Sequence, residues 1–419
     1  MNTSSPPGAH APGALPPGAL AGLRVLDLSR ILAGPWCSQM LGDLGAEIIK
    51  VERPGEGDDT RKWGPPDLPD GSGDSAYYAC ANRNKQSIAI DIGQSEGAEL
   101  VRRLAARSDI VIENFRVGGL ARFGLDYESL RKVKPDLVYC SITGFGQTGP
   151  YASKGGYDFL AQGMSGLMSV TGRPDGEPGG GPMKVGIAIS DLATGLYAAV
   201  SILAAIHHRD ATGQGQHIDC ALLDSQMALL INQASNYLNG GVEPQRMGNL
   251  HPNIVVYREF QCADGDILIA LANERQFRRF AKVIGQPDLA ADPRFADHAL
   301  RRANRDALYT ALEPMVAQYR VTDLLALLDD AGVPAGPVNT IPEALADPHV
   351  AARGLVHTID RADGTPVNFV GFPAKLSATP ARYHAAPPLA GEHTRAVLTA
   401  ELGLDDAALE RLAGAGIIA

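Results

Sequence analysis

Several residue types and motifs are scarce in this sequence, and each absence excludes a class of protein. The chain has five cysteines, with no CxxC pair, which indicates buried free thiols in a reducing compartment (Cys37, Cys80, Cys140, Cys220 and Cys262). Basic residues are outnumbered: 37 lysines and arginines against 47 aspartates and glutamates give a net charge of −10. We therefore do not expect nucleic acid or an anionic membrane as the main partner. An anionic ligand would need a local basic pocket.

Common nucleotide and metal motifs are missing where they would be expected. The turn after the first apolar strand reads SRILAGP instead of GxGxxG, and GxxxxGK[ST] does not occur. This argues against a nicotinamide, flavin or P-loop nucleotide site. HExxH is absent and the ten histidines form no ligand pattern, so no metal site is predicted.

No apolar stretch is both long and uncharged. Residues 185–206 come closest to a membrane span, but Asp191 interrupts them. The first 21 residues are rich in proline and glycine and contain no basic residue, which predicts a disordered tail without targeting function. A cytoplasmic protein is expected.

Strand and helix patterns alternate through the first half of the chain. Apolar runs predict five strands, separated by helical patterns, at Leu23–Ser29, Ala46–Glu52, Ser87–Asp91, Ile110–Phe115 and Leu137–Thr143. This alternation predicts an α/β fold with a doubly wound parallel sheet. Ligands of such sheets bind beyond the carboxyl ends of the strands.

The remaining chain predicts a second, smaller α+β domain. The expected organisation is a tail (1–21), a large domain (22–222, completed by 389–419), a linker helix (223–246), the small domain (247–332) and a long extended connection (333–388).

Asp191 lies between a short apolar run and a long helical pattern rich in alanine and leucine. One interpretation is an ordinary helix N-cap. The other is a positioned nucleophile, kept ionised by the helix dipole, because aspartate can form covalent acyl intermediates. Small residues in the helix, among them Ala193, Gly195 and Ala198, predict close packing against another backbone.

A set of longer strings carries a family resemblance. In order, the chain contains GLRVLDLSRILAGPWCSQMLGDLGAEIIKVERPGEGD, NRNKQSI, VIENFRVG, CSITGFGQTGPY, GYDFLAQGMSG, ISDLATGLYAA, TGQGQHIDCALLDS and PLAGEHT. Together they resemble the class III CoA-transferases, the formyl-CoA and carnitine CoA-transferase family. The likeness is strongest to the branch that moves CoA between succinyl-CoA and dicarboxylates such as glutarate or hydroxymethylglutarate.

The resemblance implies a mechanism and an assembly. Asp191 occupies the family's nucleophile position, where an aspartyl anhydride and an aspartyl-CoA thioester would form. The homodimer would consist of two ring-like subunits threaded through each other, with the extended connection closing each ring. CoA esters would be substrates, and no cofactor or metal would be needed.

The resemblance also implies binding residues. Arg53, Asn114, Phe115, Arg116 and Arg122 would contact the nucleotide part of CoA. Ile90 and Asp91 would line its adenine slot, and Arg83, Lys85 and Lys154 are weaker candidates for the same pocket.

The reacting acyl group implies a further set of residues. Tyr77 and Tyr157 match positions beside it, although both also fit core aromatics. Leu32 replaces a glutamine of the oxalate branch, and the loop with Arg246, Asn249 and His251 replaces its glycine-rich flap. Both departures argue against oxalate. The loop side chains are candidates for binding a distal carboxylate, with a structural role for Arg246 as the alternative.

Two other functions fit parts of the pattern. The same fold houses α-methylacyl-CoA racemases, which carry a histidine where this chain has Tyr157. A tyrosine is a poor base at neutral pH, which favours transfer over racemisation. A non-catalytic acyl-CoA-binding protein is the second alternative.

Overall fold

A computed structural model describes residues 17–419, which form two compact units. The first contains residues 17–167, 184–240 and 354–419, and the second contains residues 168–183 and 241–353. Most of the predicted tail lies outside the described residues. The backbone N–H of Leu20 donates to the Leu44 carbonyl (3.0 Å), so the end of that stretch belongs to the folded first unit.

Six parallel strands form the sheet of the first unit, in the order β3-β2-β1-β4-β5-β6. They are β1 Arg24–Asp27, β2 Glu47–Glu52, β3 Lys85–Ala89, β4 Ile110–Glu113, β5 Val138–Thr143 and β6 Gln216–Ala221. The predicted parallel α/β sheet is confirmed. Strand β6 was missed because it is an edge strand whose first half is polar and exposed.

Helices cover the sheet, and most of them follow a strand. They are α1 Ala33–Asp43, α2 Ala76–Ala79, α3 Ser95–Ala105, α4 Tyr127–Leu130, α5 Asp158–Met164, α6 Leu167–Val170, α7 Ile189–Thr212, α8 Leu222–Ala228 and α9 Ile231–Gly240, with 3-10 turns at Asp59–Lys62 and Ala121–Phe123. The predicted linker helix is therefore two helices, and Ile231 at their junction has φ +35°.

Alternate strand residues face two apolar layers. Val25 and Ile48 pack with residues of α1 and α7 on one face, and Leu26 and Ile49 pack with residues of α3 on the other. Helices α1 and α7 approach closely, as the small residues predicted. A Cβ built on Gly195 would lie 2.7 Å from the Ala33 carbonyl oxygen, so only glycine fits there.

The second unit contains a three-stranded antiparallel sheet and helices. Its strands are β7 Tyr257–Gln261, β8 Asp266–Ala270 and β9 Ala335–Pro337. Its helices are α10 Glu274–Val283, α11 His298–Ala303, α12 Arg305–Val316, α13 Val321–Asp330, α14 Ile341–Ala346 and α15 Pro348–Ala352, with a 3-10 turn at Pro287–Ala290.

The stretch predicted as an extended connection, residues 333–388, contains regular structure. Its first part carries α14, which begins at a capping box of Thr340 and Glu343, and its second part forms the hairpin β10 Val356–Asp360 and β11 Pro366–Val370. Local capping and hairpin pairing outweigh the frequent prolines. Two final helices, α16 Thr394–Leu402 and α17 Asp406–Gly414, pack against the sheet of the first unit.

Helix α7 is long and apolar enough to cross a membrane by length and hydropathy. Half of its most apolar window is buried within the chain, and the core helix of a globular domain has the same properties.

Candidate active site

A cavity of about 450 Å³ opens at the carboxyl edge of the sheet. It lies where β1 and β4 are neighbours, which is where the strand order reverses direction. Open α/β sheets bind ligands at such a switch point. The loops after β1 and β4, the end of β5 and the start of α7 form its walls, which include Ile31, Leu32, Asn114, Phe115, Arg116, Arg122, Gly144, Lys154, Tyr157 and Asp191.

Asp191 is the third residue of α7 and faces this cavity. Within the described residues its carboxylate accepts no hydrogen bond and forms no ion pair. Burial, followed by the charge of Asp158, raises the pKa of Asp191 to about 7. These two effects outweigh the helix dipole, which was expected to favour the charged form. Asp191 is therefore an uncompensated carboxylate in a ligand-sized cavity.

The interpretation of Asp191 as a helix N-cap is wrong. The N-cap position belongs to Ala188, and the Ser190 N–H donates instead to Oδ1 of Asp158 on α5 (2.8 Å). Asp158 also accepts a bond from Gln162 Nε2 (2.7 Å) on its own helix. Asp158, and not Asp191, therefore accepts the Ser190 N–H at this helix end.

Two buried glutamines also form hydrogen bonds with the chain at the start of α7. Gln162 accepts the Val185 N–H (2.8 Å), and Gln226 accepts the Ser190 hydroxyl (2.9 Å). The sequence analysis assigned no role to Asp158, Gln162 or Gln226. The i, i+4 spacing of Asp158 and Gln162 signals their mutual bond, but not that they hold α7.

The loops after β1 and β4 are tied together. Asn114 accepts the Arg30 N–H (3.0 Å) and donates to the Arg30 carbonyl (2.6 Å). The buried Glu113, at the end of β4, accepts the Phe115 N–H (2.7 Å). Burial raises the pKa of Glu113 to about 7, although hydrogen bonds from Ser141 and from the Phe115 N–H lower it. Asn114 therefore lines the cavity and also fixes the opposite loop.

Basic side chains surround the opening. Arg116 and Arg122 form no ion pair within residues 17–419, so their charges are available to an anionic ligand. Arg30 pairs with Asp59 (3.0 Å), and Lys154 lies 4.0 Å from the ring centre of Tyr151. The cavity thus supplies the local basic pocket that an acidic protein needs for an anionic ligand.

Three predicted CoA contacts lie elsewhere. Arg53 follows β2, is exposed and pairs with Glu56 (3.0 Å). Ile90 is buried after β3, and Asp91 accepts the Gly93 N–H (2.9 Å). None of the three lines the cavity, because β2 and β3 lie to one side of the switch point.

Two weaker candidates for the pocket are buried in ion pairs. Arg83 pairs with Asp43 (2.5 Å) and Lys85 with Asp27 (3.4 Å). Neither lines the cavity.

The predicted acyl-group residues divide between the units. Tyr157 lines the cavity and is exposed, which excludes a core role. Burial and the charge of Asp191 raise the pKa of Tyr77 to about 12, although Tyr77 is not part of the cavity lining.

The loop of Arg246, Asn249 and His251 belongs to the second unit. Arg246 pairs with Asp175, and His251 Nδ1 accepts the N–H groups of Asn253 and Ile254 (3.0 Å each). Asn249 is exposed. Two of the three side chains are therefore already engaged within their own unit.

Two glycine-spaced strings match common motifs by letter. Gly144–Gly149 has GxGxxG spacing after β5, but no helix begins before α5 at Asp158. Gly93–Gly97 has GxSxG spacing, and the cavity beside Ser95 is lined without a histidine. The first string lacks the helix that its motif requires, and the second lies between β3 and α3 but has no histidine in the adjacent cavity lining. Among residues 17–419, no group of His, Cys, Asp and Glu could hold a metal ion.

Comparison with known proteins identifies the family. The model of CoA-transferase family III matches residues 20–394. The chain is 49% identical to a succinate–glutarate CoA-transferase of Agrobacterium fabrum, over 92% of this chain and 96% of the relative. It is 42% identical to a succinyl-CoA:glutarate CoA-transferase of Mus musculus, over 95% and 90%.

Solved structures agree with this. A CAIB/BAIF family protein from Brucella suis superposes with a TM-score of 0.81, at 48% identity, over 92% of this chain and 100% of the other. The chain belongs to CoA-transferase family III. It is an enzyme of the CoA-transferase class.

Proposed function

We propose that this enzyme transfers CoA from succinyl-CoA to a short dicarboxylate such as glutarate or itaconate, with Asp191 as the covalent nucleophile. The observation that carries the proposal is the unpaired Asp191 carboxylate in a cavity with free arginines at the switch point of the sheet. The activities printed for the Agrobacterium and mouse relatives support the choice of donor and acceptor.

The proposed reaction proceeds through two kinds of covalent intermediate. The ionised Asp191 carboxylate attacks the thioester carbonyl of succinyl-CoA, forming a mixed anhydride and releasing CoA thiolate. The thiolate attacks the aspartyl carbonyl, which gives an aspartyl-CoA thioester and free succinate. The acceptor carboxylate then attacks this thioester, and the thiolate returns to the acceptor side of the new anhydride. Each step conserves one activated acyl group, so ATP, a metal or another cofactor is not required.

The anionic parts of the substrate are assigned by charge and by resemblance. Arg116 and Arg122 line the cavity and have no ion-pair partner among the residues that the structure describes, which supports contacts to CoA phosphates. Asn114 and Phe115 line the same wall. Arg53, Ile90 and Asp91 stay in the proposal by resemblance alone.

A distal carboxylate of the acceptor needs a cation, since an unpaired buried charge is costly. Arg246 is the proposed partner, and its existing pair with Asp175 would have to open. Asn249 and His251 would add donors, with His251 using Nε2 because Nδ1 already accepts two N–H groups. Leu32 and Tyr157 would contact the acyl chain, and Tyr77 would lie close by.

The proposed assembly is a homodimer of interlocked ring-like subunits in the cytoplasm. Its support in the first unit is a set of exposed large apolar side chains on helices α5, α7, α8 and α9: Phe159, Leu160, Met164, Leu196, Tyr197, Val200, Met227, Ile231, Tyr237 and Leu238. Single exposed apolar residues are ordinary, but a set of this size marks an interaction surface. Interlocked subunits cannot separate without unfolding, so no folded monomer is expected.

A matched pair of acids tests the function. The enzyme is mixed with succinyl-CoA and either glutarate or butyrate, and the CoA esters are identified by mass. Glutaryl-CoA should form with a much higher kcat/KM than butyryl-CoA, and Arg246→Gln should narrow the difference. Equal values for the two acids would contradict recognition of a distal carboxylate. Epimerisation of a methylacyl-CoA without acid exchange would indicate a racemase, and binding without turnover a non-catalytic protein.

A further inference from the structure

The loop between β1 and α1 holds an isoleucine in a backbone conformation that isoleucine rarely adopts. Ile31 has φ +73°, in the left-handed region that favours glycine. A β-branched residue stays there only when its surroundings fix it, and such positions concentrate at functional sites. Arg30, Ile31 and Leu32 together form one wall of the cavity that contains Asp191.

Side chains hold the peptide groups of this loop. The Ile31 N–H donates to both carboxylate oxygens of Asp58 (3.2 Å each). The Ser29 carbonyl accepts from Lys50 Nζ (2.8 Å), and Ser29 N–H donates to Asp27 (2.9 Å). The strained residue is therefore fixed by groups outside its own segment.

Lys50 and Asp58 form a single buried unit. Lys50 Nζ lies 2.9 Å from Asp58 Oδ2, and both side chains are completely buried. Lys50 stands on β2, and Asp58 is further fixed by the N–H and hydroxyl of Thr60 (3.0 and 2.7 Å). A buried ion pair of this kind adds little net stability compared with apolar residues. Its contacts instead point to a role in specifying the loop.

A second buried pair provides the comparison. Arg83 and Asp43 have side chains that are 3% and 0% exposed and lie 2.5 Å apart in the same unit. Neither residue lines the cavity, and neither bonds to the Arg30–Leu32 loop. Both pairs are buried ion pairs, but only Lys50–Asp58 contacts the wall of the site.

We propose that the Lys50–Asp58 pair is a positioning device that sets the Arg30–Leu32 wall, and thereby the alignment of the acyl group with the nucleophile. This inference rests on the proposed function of Asp191. Neither residue touches the substrate, so both act through the backbone of Ser29 and Ile31. Because small displacements at a reacting centre are costly, loosening the wall should lower kcat more than it weakens binding.

The first experiment compares Asp58→Asn with Asp43→Asn at a temperature where both are fully folded by circular dichroism. Asp58→Asn should lower kcat by about 10- to 100-fold, with a change in KM for succinyl-CoA of under about threefold. Asp43→Asn should keep kcat within about threefold of wild type. Equal loss in both variants would overturn the proposal, since a merely structural pair predicts that result.

The second experiment tests the strained residue. Ile31→Gly removes the strain, because glycine adopts φ +73° freely. In the Asp58→Asn background, Ile31→Gly should restore kcat by at least about fivefold, whereas Ile31→Ala should not. Rescue by both or by neither would contradict the proposal. If Asp58→Asn does not fold, Lys50→Met is used in the same comparison.

Failure of the positioning role can be told apart from failure of Asp191 as the proposed nucleophile. Every ratio compares transfer by a variant that retains Asp191 with transfer by the wild type, so it reports wall positioning whichever group is acylated. Turnover retained by Asp191→Asn would remove the proposed nucleophile. Unchanged kcat in both Asp58→Asn and Lys50→Met would remove the positioning role alone.

Discussion

Asp58 and Asp191 are both buried carboxylates of the first unit, yet their environments differ. Burial alone raises the pKa of Asp58, but the Lys50 charge and hydrogen bonds from Lys50 and Thr60 lower it to about 2. In the described part of the chain no cation pairs with Asp191, and burial together with Asp158 raises its pKa to about 7. For these two residues, the neighbouring cation separates the carboxylate whose pKa is lowered from the one whose pKa is raised.

The contrast between Asp58 and Asp191 is tested most directly by replacing Asp191. Asp191→Asn should lower kcat/KM for transfer by at least about 10³-fold, because the amide cannot form the anhydride. It should leave the melting temperature at pH 8 unchanged or higher, since an unpaired buried charge is removed. Steady-state kinetics and thermal unfolding check both parts. Activity above a few per cent of wild type would remove Asp191 as nucleophile.

Removing the cation that pairs with buried carboxylates should destabilise the fold, which is the opposite of the effect expected for Asp191→Asn. Arg61 bonds Glu52 at 2.6 and 2.8 Å and Asp74 at 2.9 Å, all within the buried network. Arg61→Met should cost about 3–5 kcal/mol of unfolding free energy, because Glu52 loses its ion-pair partner and Asp74 keeps only Arg361 among its described partners. The control is Arg131→Met, which breaks an exposed pair with Glu128 and should cost under about 1 kcal/mol. Denaturant unfolding measures both, and similar losses would contradict the contrast.

The unusual pKa of Asp191 predicts the pH dependence of catalysis. The reactive form is ionised, so kcat/KM should fall about tenfold per pH unit below about 7. Because the folded pKa lies above the ordinary value, ionisation of Asp191 should destabilise the protein as pH rises from about 4 to 7. Asp158→Asn removes a repelling charge and should move the kinetic profile to lower pH. A profile that does not move would show that Asp158 does not act on Asp191.

The smallest expected effect is a difference in KM between replacing an arginine without an ion pair and replacing one that is ion-paired. Arg116→Ala should raise KM for succinyl-CoA by about tenfold with little change in KM for the acceptor, since phosphate contacts contribute uniform binding. Arg53→Ala should have a smaller effect, because Arg53 is exposed and paired with Glu56. Initial rates at varied succinyl-CoA measure both. A larger effect at Arg53 would place the nucleotide part of CoA near the end of β2.

Much of the first unit follows from local sequence pattern. Buried apolar strands followed by helices predicted the parallel sheet, and the strand ends predicted that Asn114, Phe115 and Arg116 lie at its ligand edge. The same rule also selected Arg53, which does not line the cavity. Strand order decides between them, and order depends on long-range pairing that periodicity does not encode.

Asp191 also shows that sequence pattern does not encode long-range contacts. Its place before an apolar helix predicted either a helix N-cap or a nucleophile. Deciding between these two roles required knowing which residue accepts the N–H groups at the start of α7. The answer is Asp158, which is 33 residues earlier in the chain and reaches Ser190 only after folding. The dipole argument also failed, because desolvation depends on tertiary burial that the sequence does not state.

The close approach of α1 and α7 at Gly195 has a consequence for how new specificities arise in this scaffold. The spacing between the helix that carries Asp191 and the helix that follows Leu32 is set by main-chain contact. We therefore expect that cavity-lining side chains such as Leu32 and Tyr157 can change without moving the helices that hold Asp191, the proposed nucleophile. If the proposed roles hold, we expect acceptor preference to vary separately from catalytic chemistry, so directed evolution toward other acids should begin at these two positions and leave Gly195 untouched.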